Sequence, residues 1–532
     1  MDTPAALPPH VKALLDAGAY PHRSGPVRLI QTHISWVLLA GRFAYKLKKP
    51  VALGFLDYTS LAERRRMCEE EVRLNRRLCP RVYLGVVPVT AGGAAYRMAG
   101  GGAAIDYAVK MRRVPRRSMM PEMLERGLVT DAHLRSLART IADFHREAAT
   151  DARIAAFGRV PAVRRNWDEN FAQVRPYIGH TIAAAAFDAI ASHVARFLRE
   201  QGALIELRAD AGRVRDVHGD LRADSVVYGS GDAPCVMDCI EFSERLRCGD
   251  VASDVAFLAM DLERRGHRAL ADAFLSCYLE RSPDETLPAV LTFSMCYRAF
   301  VRGKVHSIEA ADPGVPDPQR QAAAETARAC FRLAVDYAGR ARRPALVLMC
   351  GLTGSGKSYF ANALAGRLGS VVLSSDVVRK ELLGVDVRTP VAAGYGQGAY
   401  TEEQRRAVYA ALRERAEPHL GAGRGVVLDA THAARSERDA GRALAARHGV
   451  PAVVVWLTTG EETVRDRLEA RALSGDAISG GRWETYLAQR RRFEPPAADE
   501  RAVAVTPSAA LDRDLDRVVV AVGALTEPAR SQ

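Results

Sequence analysis

The sequence predicts two unlike folds in one chain: an α+β domain of two lobes over residues 1–340, then an α/β domain with a parallel sheet over 341–532. Three observations carry this. Short segments rich in β-branched and aromatic residues fill 27–115, helical patterning dominates 116–340, and beyond 341 apolar strands alternate with helical segments. The 532 residues are 48% hydrophobic, enough to bury ordinary cores, and a prior of roughly 100–200 residues per domain allows two to four domains.

In chain order, "VRLIQTH", "ISWVLLAG" and "FAYKLKK" read as strands, "SLAERRRMCEEEVRLNRRL" as a charged helix, and "YLGVVPV" and "YAVKMRRV" as further strands. These form a small lobe over about 27–115. The helical lobe that follows, about 116–340, is interrupted near 214–242 by an expected hairpin. The Pro- and Asp-rich "ADPGVPDPQR" is a surface loop, and "RARRP" leads into the second domain near residue 340. There "ALVLMC", "SVVLSS", "GVVLDA" and "AVVVWL" are the strands of the parallel sheet.

The net charge of +12 favours an anionic partner such as a nucleotide, a phosphorylated metabolite or a nucleic acid. Eight of the 75 basic residues are lysine, so the positions that keep a compact ammonium, among them Lys46, Lys48 and Lys357, attract interest. The nine cysteines include no C-x-x-C pair and read as reduced, mostly buried thiols. The N-terminus has no basic stretch followed by an apolar one, and no apolar run approaches the ~18–20 residues of a membrane span. The expectation is a cytoplasmic protein without a membrane partner.

"CGLTGSGKSYF" holds Gly351-x-x-x-x-Gly356-Lys357-Ser358 between a strand and a helix, the context a phosphate-binding loop requires. Backbone N–H groups from Gly351, Thr353, Gly354, Ser355 and Gly356 converge on phosphate oxygens. Lys357 reaches the β/γ-phosphates of ATP, and Ser358 ligates Mg2+. "GVVLDATH" ends its strand in Asp429, a carboxylate for the same ion. In "SSDVVRK", Asp376 is a base for an acceptor hydroxyl and Arg379 a clamp for the acceptor's anion. In "VRDRLEARALSGD", Arg467 and Arg471 lie one helical turn apart, as a lid over transferring phosphoryl charge requires. This order of parts resembles the small P-loop kinases of the polynucleotide 5′-kinase and gluconate-kinase type, over roughly 345–500.

Upstream, "VHGDLRADSVVY" followed by a strand ending "VMDCIEF" resembles the core of aminoglycoside phosphotransferases and other protein-kinase-like small-molecule kinases. The resemblance implies Asp220 as the acceptor of the hydroxyl proton, His218 as a brace of the loop and Asp238 as a metal ligand. It implies a second metal ligand at Ser225, where that family carries asparagine, with Asp224 beside it. "GDVASDVAFLA" matches the family's brace beneath the loop at Gly249, Asp250 and Asp254. Lys46 fits the nucleotide lysine, with Lys48 on the same strand face an open alternative. Glu71 is its helix partner, with Glu70 the second choice, and the hinge lies near "YAVKMRRV". No G-x-G-x-x-G precedes residue 45, so any phosphate cover is built differently.

The whole chain resembles the bacterial bifunctional aminoglycoside phosphotransferase/ATP-binding proteins, whose N-terminal signature is echoed in "YKLKKPVALGFLDYTSL" and "NRRLCPRVYLGVVPV". The implied activity is ATP- and Mg2+-dependent phosphoryl transfer from two nucleotide sites to a hydroxyl acceptor, an RNA or DNA 5′-end or a small molecule. The alternative makes the N-terminal domain a catalytically weak nucleotide-binding or substrate-recruiting module for its neighbour.

Overall fold

The computed structural model describes residues 7–53, 56–92, 95–229, 234–339, 344–386, 401–474, 482–500, 502–507 and 511–526. It divides into two compact units. The first comprises Met1–Tyr177, Ile205–Asp261 and Gly303–Ala327, the second Ile178–Leu204, Leu262–Arg302 and Arg328–Gln532.

The first unit carries a six-stranded antiparallel sheet of β1 (Arg28–Gln31), β2 (Ser35–Ala40), β3 (Phe43–Lys48), β4 (Tyr83–Gly92), β5 (Ala95–Met98) and β6 (Ala103–Arg112), in the order β1-β2-β3-β6-β4-β5. Alternation puts Leu38, Tyr45 and Leu47 into one core with Trp36 and Val89. The helix α1 (Leu61–Asn75) covers the other face, where Cys68 and Val72 pack with Tyr83, Val109 and Met111. Its start is set by Ser60, whose hydroxyl accepts from the Glu63 N–H at 3.1 Å. Lys46 pairs with Val37 on β2 and Val109 on β6, so the lysine sits in the middle of the sheet.

The expected hairpin near 214–242 is present as one of two short ribbons. Strand β7 (Val214–Asp216) pairs with β10 (Cys248–Asp250), and β8 (Val226–Tyr228) pairs with β9 (Pro234–Val236). Between β7 and β8 runs the loop with His218 and Asp220, flanked by α2 (Asp131–Glu147) and α3 (Val251–Arg264). One difference concerns the thiols. Cys79 and Cys235 form a disulfide, whereas the expectation was of reduced cysteines throughout. The two sit 156 residues apart, a separation at which no spacing pattern signals pairing. Six of the other seven cysteines are buried as expected.

The second unit contains a five-stranded parallel sheet of β11 (Leu346–Cys350), β12 (Val371–Ser374), β13 (Val426–Asp429), β14 (Ala452–Leu457) and β15 (Val503–Val505), in the order β12-β13-β11-β14-β15. The first four are the four strands expected. The fifth is three residues long and escapes a pattern that needs a longer run. Helices α4 (Lys357–Leu368), α5 (Ser375–Leu382), α6 (Glu402–Gly421), α7 (Arg435–Arg447), α8 (Glu461–Ser474) and α9 (Leu511–Thr526) connect or flank them. Val347, Met349, Val427 and Val455 meet Phe360, Leu364, Leu515 and Val518 in its core. Because the strands are parallel, their C-terminal ends deliver Cys350, Ser374 and Asp429 to one edge of the sheet.

Candidate active sites

In the second unit the chain leaves β11 at Cys350 and enters α4 at Lys357, so the intervening loop ends on a helix N-terminus. Gly354 and Gly356 have φ of +76° and +92°. A Cβ at Gly354 would come within 2.8 Å of Val464 Cγ1, so the loop turns there only because glycine is present. No side chain caps α4, and the buried Ser355 Oγ has no hydrogen-bond partner among the described residues. The Gly354 and Gly356 N–H groups, with no protein acceptor among the described residues, the Ser355 hydroxyl and the helix dipole fit a polyphosphate, whereas the N–H groups of Gly351 and Ser355 already meet Thr431 O and Leu352 O.

Lys357 Nζ lies 2.8 Å from Leu352 O, folded along the loop it serves. Ser358, at the start of α4, lies beside Asp429, at the end of β13, an oxygen pair suited to a hard divalent cation. Burial pushes the Asp429 carboxyl up to about 6, against the pull of the Ser358 hydroxyl and the Lys357 ammonium. Two contributors come from far along the chain. Arg467 donates from Nη1 to Ser355 O at 3.2 Å, and Gln489 Oε1 accepts from the Thr353 N–H at 2.9 Å. Gln489 was not anticipated; 136 residues from its partner, it carries no local signal. Asp376 and Arg379 form an i,i+3 ion pair at 2.6 Å at the start of α5. The Arg471 side chain lies outside the described residues.

In the first unit, Lys46 Nζ lies 2.8 Å from Glu71 Oε1 and 3.0 Å from Asp238 Oδ1. Lys48 is fully buried and pairs with Glu71 and Glu241 beneath the ring of Tyr58. The two lysines left open by the sequence thus divide: Lys46, with 17% of its side chain exposed, reaches Asp238, and Lys48 anchors Glu71 from below. Glu70 turns outward to Arg73. Burial opposes the Lys46 charge, but Asp238 and Glu71 outweigh it and hold its pKa well above the ordinary lysine value. Lys46 in turn holds the Asp238 carboxyl below the usual range. Asp238 has φ of +61°, a left-handed backbone that aspartate tolerates better than most residues.

Asp254 is fully buried and accepts from the N–H groups of His218 (3.2 Å) and Gly219 (2.9 Å), with His145 Nε2 at 3.0 Å. His218 Nε2 lies 2.9 Å from Met237 O, which ties the loop to the residue before Asp238. Burial holds the His218 imidazole below its ordinary pKa. Asp250 pairs with the buried Arg208 through both oxygens at 2.7 Å. Ser225 Oγ donates to Arg222 O at 2.7 Å and accepts from Arg222 N–H at 3.1 Å, closing the turn after Asp220.

The residue the sequence reading passed over is Arg222. Its guanidinium grips both Asp220 oxygens at 2.9 and 3.0 Å and reaches Asp224 Oδ2 at 2.8 Å. The signal was present, a cation two residues after the expected base.

These folds and sites define a two-domain phosphotransferase, a kinase-like domain followed by a P-loop kinase domain. Residues 58–289 match the "Phosphotransferase enzyme family" and residues 346–496 the "AAA domain". An uncharacterized protein of Mycobacterium tuberculosis H37Rv is 34% identical over 444 residues, 83% of this chain and 86% of its own. Of the solved structures, a gluconokinase from Sinorhizobium meliloti 1021 is 24% identical over 35% of this chain and 95% of its own, with a TM-score of 0.26. A choline/ethanolamine kinase family protein from Mesorhizobium loti is 13% identical over 59% of this chain and 92% of its own, with a TM-score of 0.36. The chain belongs to the family of bifunctional aminoglycoside phosphotransferase/ATP-binding proteins. Among the described residues no helix is long and apolar enough to cross a membrane.

Proposed function

We propose that residues 341–532 form a kinase domain that moves the γ-phosphoryl group of ATP to a hydroxyl acceptor, and that residues 1–340 form a second nucleotide site. The observation that carries the first half is the loop from Gly351 to Ser358, with an uncapped helix behind it and Asp429 beside Ser358. The loop N–H groups and Lys357 orient the β- and γ-phosphates, and Arg467 meets the charge that spreads over the transferred group. Mg2+, held by Ser358 and Asp429, would neutralise the phosphate oxygens.

The acceptor oxygen bonds to the γ-phosphorus as the bond to the β,γ-bridging oxygen breaks. ADP leaves with that electron pair, and Asp376, steered by Arg379, takes the hydroxyl proton. The acceptor is a nucleic-acid 5′-hydroxyl or a small alcohol, and the ATP requirement puts the work in the cytoplasm. Lys357→Ala is expected to abolish transfer to an added acceptor; transfer at the wild-type rate would overturn the assignment. A steep loss of acceptor affinity between low and physiological salt marks a nucleic acid, and a flat response marks a small molecule.

For the first unit, Asp220 takes the acceptor proton, Asp238 and Ser225 would hold a metal that neutralises phosphate charge, and Lys46 with Glu71 orients the nucleotide. A second reading, a binding or recruiting module of weak activity, is favoured by one observation: Arg222 already occupies both oxygens of Asp220. Asp220→Asn separates the two. Selective loss of a phosphorylated product with nucleotide binding intact supports catalysis, whereas unchanged products support the module.

A further inference from the structure

The second unit contains a cavity of about 710 Å³ that none of the residues discussed above lines. Its walls are the face of the helix Ala184–Asp210 bearing Phe197 and Gln201, the end of the helix Asp317–Gly339 at Ala338, the end of α4 at Leu368, and the segment 423–425 that enters β13. These walls lie at the N-terminal ends of the parallel strands, whereas the phosphate loop lies at their C-terminal ends. The four residues of β13 set the two about 13 Å apart at ~3.3 Å per residue. The cavity is therefore separate from the nucleotide position, and its size is that of a small-molecule site.

Its polar groups are incompletely matched by the protein. Arg424 is half-buried, with its Nε 3.2 Å from His419 Nδ1, and no carboxylate among the described residues lies within ion-pair distance of its guanidinium. Burial holds it below the ordinary arginine pKa and pushes the neighbouring His419 down to about 4, so its neighbour is another would-be cation kept neutral. Arg196, exposed on the opposite wall, also has no acidic partner among the described residues; nearby Glu200 is taken by Arg199. Gln201 is 9% exposed, and its Oε1 is buried without a hydrogen-bond donor. A half-buried guanidinium without a counter-ion and a buried acceptor without a donor each carry a desolvation cost that a suitable ligand removes.

We propose that this cavity binds a small amphipathic organic anion, its acid group between Arg424 and Arg196, its apolar body against Phe197, Ala338 and Leu368, and an N–H or O–H donor on Gln201 Oε1. The probe is 8-anilinonaphthalene-1-sulfonate, which combines an anion, an N–H and an apolar body. It is titrated by fluorescence and calorimetry into the full-length protein with saturating ADP and Mg2+, so that nucleotide sites do not report. The expected result is one saturable site, weakened at least fivefold in Arg196→Gln/Arg424→Gln while the melting temperature and ADP affinity stay at wild-type values. If the Arg424 change lowers the melting temperature, the exposed Arg196→Gln alone is read by the same criterion. Absence of saturable binding with ADP present, or a weakening below fivefold, overturns the proposal.

Discussion

Replacing Asp254 with alanine removes the frame under the loop that carries Asp220. The buried carboxylate is the acceptor for two backbone N–H groups, His218 and Gly219, and it holds His145 Nε2 at 3.0 Å. Alanine strands two backbone donors and one imidazole nitrogen where water does not reach. At about 1–2 kcal/mol for each unsatisfied buried group, the cost is about 3–6 kcal/mol. Because the chain has two compact units, global unfolding is not one two-state quantity, and a local readout is required. Hydrogen exchange on peptides spanning 214–222 supplies it. The amides of 217–221 should exchange about a hundredfold faster or more, the equivalent of about 3 kcal/mol, while peptides from 346–374 keep their wild-type rates. Asp254→Asn, which keeps one acceptor oxygen, should fall between. A change below about 1 kcal/mol in the alanine variant would refute the claim that this carboxylate holds the loop.

Lys46→Met should weaken nucleotide binding at the first site at least tenfold with the fold intact, whereas Lys48→Met leaves Glu71 and Glu241 buried with one cation fewer and should destabilise the small lobe by about 3–5 kcal/mol; calorimetry and hydrogen exchange separate the two outcomes. Lys304, bonded to Asn170 Oδ1 (2.6 Å) and Gln173 Oε1 (2.8 Å), is held down to about 8 by burial. The unfolded chain keeps that proton up to about 10.5, so stability should rise between about pH 8 and 10.5, by up to about 3 kcal/mol, and then level. The wild type minus Lys304→Met difference in urea unfolding, followed by a local probe on the helix Leu287–Ala311, isolates this rise, and a flat difference contradicts it. A non-reducing peptide digest should yield Cys79 joined to Cys235, and reduction should cost up to about 5 kcal/mol on the loop-entropy estimate for 156 residues; recovery of both as free thiols would remove the disulfide from the account.

What was legible from sequence followed from local constraint. The phosphate loop is read from eight consecutive residues because a strand, a glycine turn and a helix N-terminus must follow one another directly. The division of Lys46 from Lys48 was not legible, since residues two apart on a strand share a face and only Glu71, Glu241 and Tyr58 packed below decide which is buried. Gln489 and the disulfide depend on partners 136 and 156 residues away. Arg222 was adjacent and still missed, because its side-chain direction, not its position, makes it matter.

That direction sets what each site must rearrange, since Asp220 is held by Arg222 as Asp376 is by Arg379. In the second unit the loop presents an uncapped helix and a Ser355 hydroxyl without a protein partner among the described residues, while Gln489 Oε1 holds the Thr353 N–H and Leu352 O holds the Lys357 ammonium. In the first unit Asp220 and Asp224 share Arg222, and Asp238 holds Lys46. A metal–nucleotide complex there must displace one charge-assisted bond at Asp238, and an acceptor must displace another at Asp220, before any new one stabilises it. Such bonds contribute about 1.5–3 kcal/mol each, and the second site has counterparts in Asp376, paired with Arg379, and Lys357, bonded to Leu352 O. Arg222→Gln removes the grip on Asp220 and leaves Lys46 in place. If the pairing restrains the first site, this change should raise its acceptor-dependent turnover; if Arg222 instead serves the transferred phosphoryl group, the same change should lower it.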